Sequence, residues 1–357
     1  MLELPQSSLT GLVDDVIDVA RIPGPTFSEE ARLTWISERI RDQPGRRRRD
    51  EVGNLIWEWG QGQPSLVLAA HVDTVFDEET PLEIHQDDST LTGPGVGDNA
   101  AAVAVALNVT RRLLARTEPV AGAVVFTVGE EGLGNLRGAR AACDALKPQS
   151  FIALEGHGLE EVIVDAIGSV RARLSVEGPG GHPWVDKGNP SAIHAVLELG
   201  SRILADAPEA AEVNIGSITG GRSVNVIADS AELLLEARAD DNQALEKMLA
   251  ELDDLRCEPP LSLGVEMVGK RPAGRLPRDS RLLAVVRSVR AELGLPDVLG
   301  SGSTDANAAL AQGIPALTLG VATGSGMHST REQIELESLA VGLRQVEMVV
   351  ERLLSRS

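Results

Sequence analysis

Residues 66–73 read LVLAAHVD, five apolar residues that run without a break into His71 and Asp73. A short, continuous apolar run suits a strand buried on both faces, because neither face has to meet water. Two more runs of this kind follow, residues 123–128 (AVVFTV) and 151–154 (FIAL). Each is followed by carboxylates, Glu130 and Glu131 after the first and Glu155 after the second. Helical patterns cover residues 8–21, 28–43 (with Ser28 as N-cap), the Ala-rich 100–114, and 136–146. Buried strands alternating with helices predict an α/β fold, a mostly parallel sheet flanked by helices. Open sheets of this class gather ligands at the carboxyl ends of their strands. Three strands would therefore deliver metal-type ligands to one edge.

The pattern changes near Gly168. Residues 169–177 (SVRARLSVE), 231–239 (AELLLEARA) and 262–268 (SLGVEMV) alternate polar and apolar positions, as strands with one wet face do. Helical stretches at 189–204 and 243–255 lie between them. This predicts an α+β domain over 168–272, inserted between the halves of a metal-binding domain formed by 1–167 and 273–357. A helix at 280–293, a buried strand at 316–319 and a long helix at 334–354 complete the latter. A length of 357 residues fits two domains better than one.

Composition narrows the partners. Asp and Glu outnumber Lys and Arg by 53 to 33, a net charge of −20. So acidic a surface repels phosphate backbones and anionic lipids, so neither nucleic acid nor membrane is expected as a partner. The one basic cluster, Arg46 to Arg49, reads as a solvated loop after Pro44-Gly45. Aromatic residues are only 2% of the chain, so the cores must be built from Ala, Val, Leu and Ile. Cys143 and Cys257 make no C-x-x-C pair and no disulfide framework, which fits a reducing compartment. The opening MLELPQSSLT has no leader pattern, and no apolar run approaches the ~20 residues of a membrane span. A cytoplasmic location is the expectation.

Taken singly, the polar residues are ambiguous. His71 could be an ordinary histidine, but Asp73 is placed to hold the ring nitrogen facing away from a metal. Asp98, after the turn GPGVGD, reads on its own as a helix N-cap. Glu130 and Glu131 repel each other at the end of a buried strand, a costly arrangement without a cation. His328 follows the loop Gly324-Ser325-Gly326-Met327 and could reach the same edge. His85 and His157 have no such neighbours, and His194 reads as packing or surface. Gly95-x-Gly97-x-x-Ala100 imitates a dinucleotide fingerprint, but no buried strand precedes it. There is no G-x-S-x-G elbow, no P-loop and no cysteine zinc pattern.

The stretches AAHVDTV, GPGVGDNAA, TVGEEGLGNLRGAR, ALEG, GSTDANAA and GMHS together resemble the successive motifs of the co-catalytic two-zinc metallopeptidases and amidohydrolases, the family of glutamate carboxypeptidase, peptidase T, aminoacylase and succinyl-diaminopimelate desuccinylase. GPGGHPWVDKGNPSA and GGRSVNVIADSAELLLEARA resemble that family's lid or dimerisation domain. The likeness runs over nearly the whole chain in the right order. It implies two Zn2+ per subunit, with Mn2+ or Co2+ as substitutes. His71 and Glu155 would hold one ion, Glu131 and His328 the other, and Asp98 would bridge them. Asp73 would orient His71, and Glu130 would be the general base. His182 would reach the partner subunit's site in a homodimer joined through the inserted domain. Asn225 and Arg238 would bind substrate, Arg238 as a clamp for a free carboxylate, and Gly324, Ser325 and Gly326 would line the pocket. The bond from Asp98 to Asn99 would be cis. Asp98-Asn99-Ala100 departs from the Asp-Asp-Lys or Asp-Met-Lys of many members. Glu155 resembles the carboxypeptidase and deacylase branches, whose substrates are small peptides or N-acyl amino acids. A di- or tripeptide aminopeptidase, or a scaffold without catalysis, is the alternative.

Overall fold

The computed structural model describes residues 6–116 and 120–355. Residues 1–5, part of the stretch read above for a leader, lie outside that description. The chain divides into two compact units, Met1–Ala166 with Arg275–Ser357, and Ile167–Gly274. The change in strand pattern had set these boundaries at 168 and 272.

In the first unit, four strands form a parallel centre in the order Gly122–Thr127, Leu66–His71, Phe151–Glu155 and Ala316–Gly320. Along Leu66–His71 the side chains alternate between two cores. Leu66, Leu68 and Ala70 join Leu12, Val16, Val103, Leu107, Val286 and Val346 on one face. Val67 and Ala69 join Ala139, Ala142, Cys143 and Ala309 on the other. That double burial explains the unbroken apolar runs. One face is covered by helices Gln6–Ala20, Ala102–Arg116, Arg281–Leu293 and Leu336–Leu354, the other by Arg137–Leu146 and Ala306–Ala311.

Antiparallel strands extend the centre. Leu55–Trp59 pairs with Gly122–Thr127, and Arg46–Arg49 pairs with Leu55–Trp59 as an edge strand. The four arginines are therefore not a loop. Arg46 and Arg48 both bind Glu58 on the neighbouring strand, a cross-strand pairing that charge alone did not reveal. Ser28 is not an N-cap either, because the helix begins at Glu30 and Ser28 lies in a turn bonded to Pro25. A small antiparallel sheet, Gly324–Ser325, Gln333–Glu335, Thr90–Thr92 and His85–Gln86, joins two loops far apart in sequence.

The second unit is a four-stranded antiparallel sheet in the order Glu212–Gly220, Ser230–Ala239, Gly168–Glu177 and Ser262–Arg271. Helices Ala192–Asp206 and Asn242–Asp253 bury one face through Val170, Leu174, Leu199, Leu233, Leu235 and Met248. Asp241 caps the second helix by accepting from the Gln243 amide at 2.9 Å. The edge strand Glu212–Gly220 carries Gly and Ser and is largely exposed, so periodicity did not mark it. Among the described residues no helix is long and apolar enough to cross a membrane.

Candidate metal centre

The carboxyl edge of the parallel strands gathers the polar residues. His71 and Glu155 are the last residues of their strands. Gly129, at φ +64°, turns the chain beyond Thr127 so that Glu130 and Glu131 follow at once. Asp98 sits in a kink before helix Ala102–Arg116 rather than at its N-cap, and the Asp98–Asn99 bond is cis. The turn from Gly326 to Glu332, closed by the Ser325–Gln333 pair, carries His328, itself at φ +62°.

Asp98 is shared between two donor sets. Its Oδ1 lies 3.1 Å from His71 Nε2, which is also 3.4 Å from Glu155 Oε2. Its Oδ2 lies 3.0 Å from His328 Nε2, which is 3.3 Å from Glu131 Oε1. Among the described residues there are three groups of possible ligands, His71–Asp98–Glu155, Asp98–Glu131–His328 and His71–Glu130–Glu131, each with donor atoms within 4.8 Å of one another. The five residues read as ligands, and Glu130 with them, thus converge.

Burial and mutual attraction set their charge states. Burial alone would pull the His71 pKa down, but Glu155, Asp73 and Asp98 outweigh it and hold it well above the usual value. His328 is raised to about 10, chiefly by its hydrogen bonds to Asp98 and Glu131. Asp98, though buried, is held below the usual carboxylate range by His328 and His71. Burial pushes Glu155 up to about 7, with His71 opposing and Asp98 and Asp305 adding to the rise. A site that holds two imidazolium-prone rings against four carboxylates is built for positive charge.

Asp73 supports this set in two ways. His71 Nδ1 is 3.1 Å from the Asp73 carbonyl oxygen and 3.6 Å from its carboxylate, so the main chain makes the hydrogen bond expected of the side chain. The carboxylate instead accepts from the amides of Glu130 (3.0 Å) and Glu131 (2.9 Å) and from Thr26 Oγ1 (2.9 Å). It fixes the turn that presents both glutamates. These bonds and His71 keep the Asp73 pKa low against its burial.

Several neighbours escaped the sequence reading. Arg32, fully buried, donates from Nε to the Ile22 carbonyl and from a terminal nitrogen to the Val72 carbonyl. Burial lowers its pKa to about 10, while Asp73, Asp98 and Glu332 pull the other way. In sequence it was a polar position of an amphipathic helix. His157 was read as having no partner, yet its Nε2 lies 2.5 Å from Oε1 of the fully buried Glu332. Nothing in the polar run Ser329–Gln333 marks Glu332 as internal. Asp305, within GSTDANAA, accepts from Thr127 Oγ1 at 2.5 Å.

The remaining site residues belong elsewhere. Gly324 and Ser325 form the short strand before the His328 turn, and Gly326 accepts the Ser329 amide inside it. His182, Asn225 and Arg238 lie in the second unit and in none of the donor groups. His182 Nδ1 accepts from the amides of Trp184 (3.2 Å) and Val185 (3.4 Å), which leaves the proton of a neutral ring on Nε2. Asn225 is exposed and accepts from Ser223 Oγ. Arg238, read as a clamp for a free carboxylate, donates to Glu236 at 2.7 and 3.2 Å.

The chain is similar to known proteins. A probable carboxypeptidase of Paracoccidioides brasiliensis is 25% identical over 212 residues, 51% of this chain and 47% of that protein. The chain thus aligns with about half the length of that relative. A succinyl-diaminopimelate desuccinylase of Methylorubrum extorquens is 24% identical over 361 residues, covering 89% of this chain and 92% of the other. The aminopeptidase PepT of Bacillus cereus superposes with a TM-score of 0.77 at 21% identity, over 97% of this chain and 99% of that one. The family model described as Peptidase family M20/M25/M40 matches residues 67–352, which include all five candidate ligands. The chain belongs to this peptidase family.

Proposed function

We propose that this chain hydrolyses amide bonds in small peptides or N-acyl amino acids with the help of two divalent cations. Within that reaction class we assign it to the carboxypeptidases and deacylases, whose substrates end in a free carboxylate. The observation that carries the reading is the division of Asp98, one oxygen toward His71 and Glu155 and the other toward His328 and Glu131. Imidazole and carboxylate donors of this kind suit Zn2+, with Mn2+ or Co2+ as substitutes.

His71, Asp98 and Glu155 would hold one ion and Asp98, Glu131 and His328 the other. In that place the ions would supply Lewis acidity, lowering the pKa of water and polarising the scissile carbonyl. Glu130, beside His71 and Glu131, takes the proton of the attacking water on its carboxylate and passes it to the leaving amine. Its main chain is held by Asp73, so the base keeps its place as charge develops. His182, with its proton on Nε2, is the donor for the carbonyl oxygen in a homodimer joined through the second unit. The setting of this chemistry is the cytoplasm.

One observation favours a second reading, an aminopeptidase. Arg238 is already engaged by Glu236, which would leave a substrate carboxylate without its clamp. The test uses two matched peptide panels with metal-loaded protein and a chelated control. One panel has blocked N-termini and free carboxylates, the other free N-termini and amidated C-termini. Cleavage of the first panel alone supports the carboxypeptidase or deacylase reading. Cleavage of the second alone makes the enzyme an aminopeptidase, and metal-independent turnover of either overturns the two-metal reading.

A further inference from the structure

Three segments that bear candidate ligands converge on one carboxylate that is not itself a ligand. Glu332 lies at the end of the His328 turn and is fully buried. Its Oε1 accepts the main-chain amide of Asp98 at 2.8 Å and meets Nε2 of His157, two residues beyond Glu155, at 2.5 Å. Its carbonyl oxygen accepts the amide of Gly93, at the start of the loop that leads to Asp98, also at 2.8 Å. The packing leaves the pair no slack. A Cβ on Gly97 would lie 2.7 Å from Glu332 Oε1 and against the His157 ring, and one on Gly324 would lie 2.7 Å from the same ring.

Resting on the two-metal reading, we propose that Glu332 and His157 form a positioning pair that fixes the bridging carboxylate of Asp98 by holding its amide, and so keeps the two donor sets in register. The physical case is one of precision. Asp98 serves both sets only while its two oxygens point in opposite directions. A hydrogen bond donated by its own amide to a carboxylate anchored on the His328 turn ties its main chain to the second set. His157 ties the same carboxylate to the strand that ends in Glu155 and the first set. Neither residue touches substrate in this scheme. Outer partners of this sort are worth about 10- to 100-fold in metal affinity.

The test compares the parent protein with Glu332→Ala, Glu332→Gln and His157→Ala. Co2+ stoichiometry and affinity are read by dialysis against metal buffers, and ligand geometry by the visible Co2+ absorption band. Melting of the metal-free proteins controls for folding. Glu332→Ala is expected to weaken Co2+ binding about 10- to 100-fold and to move the band. Glu332→Gln keeps an oxygen for both the Asp98 amide and His157, and should restore affinity and band. His157→Ala should weaken binding in the same direction by less, and it carries the test if Glu332→Ala does not fold. Parent-like affinity and band in Glu332→Ala, or in His157→Ala where that variant stands in, overturns the proposal. So does equal impairment of the Ala and Gln variants at position 332, which would make charge rather than the hydrogen bond decisive. A parent that binds no Co2+ overturns the two-metal reading itself, a distinct result.

Discussion

Oδ2 of Asp98 lies 3.0 Å from Nε2 of His328, although the two residues come from the two separate chain segments of the first unit. Because the other oxygen of Asp98 faces His71, the two positions should differ when mutated. His328→Ala is expected to lose one of two bound ions and Asp98→Ala to weaken both, as read by elemental analysis of dialysed protein. Equal losses in the two variants would contradict a bridging role.

Glu130 is assigned to proton transfer rather than to holding metal. Glu130→Gln should therefore keep its metal content while kcat falls at least about 100-fold. Parent-like turnover in that variant would remove Glu130 from the mechanism.

Metal binding should expel protons. His328 keeps its proton up to about pH 10 in the metal-free protein, because Asp98 and Glu131 favour the charged ring. A cation needs the neutral nitrogen, so binding at neutral pH releases a proton and apparent affinity falls as pH falls. Calorimetry in two buffers of different ionisation enthalpy measures the release, and identical heats in both would refute it.

Gly156 packs its backbone on that of Gly97, so that a Cβ there would run into the Gly97 carbonyl. Backbone cannot rotate away as a side chain can. Gly156→Ala should cost at least about 1–3 kcal/mol in denaturant unfolding and disturb metal binding together. An unchanged midpoint would show that the two loops can separate freely.

The cysteines should differ in reactivity. Burial pushes the Cys143 thiol up to about 12, so at pH 8 only about one in ten thousand is thiolate. Cys257 is partly exposed and its pKa is raised as well, again mainly by burial. A thiol reagent should reach Cys257 in native protein and Cys143 only after unfolding. Fast native labelling of both would contradict this packing.

The parallel centre was legible in the sequence because double burial disfavours polar residues along a strand, and the candidate ligands His71, Glu131 and Glu155 stood out where an apolar run ended. Leu66–His71 and Phe151–Glu155 are of this kind. Arg46–Arg49 was not legible, since an edge strand accepts charge, and Leu55–Trp59 inside it was interrupted by Glu58, which satisfies two of those arginines. The supports of the site were hidden for a different reason. Arg32 and Glu332 are buried charged residues, and local sequence carries no sign that a charge will find its partners inside. The role of Asp73 was legible only in part. Its carbonyl, which every residue possesses, does the work expected of its carboxylate on His71.

The small sheet that joins the His328 turn to the loop before Asp98 has a consequence for synthesis. Glu332 is 234 residues beyond the amide it holds. In a nascent chain His71, Asp98 and Glu155 are all made long before His328 and Glu332. Until then the strand Ala316–Gly320 is also missing from beside Phe151–Glu155. A chain grown only that far has the first candidate donor set without the carboxylate that holds Asp98, and no strand beside Phe151–Glu155 on that side. Residues 316–332 supply both the strand that covers that edge and His328 of the second donor set.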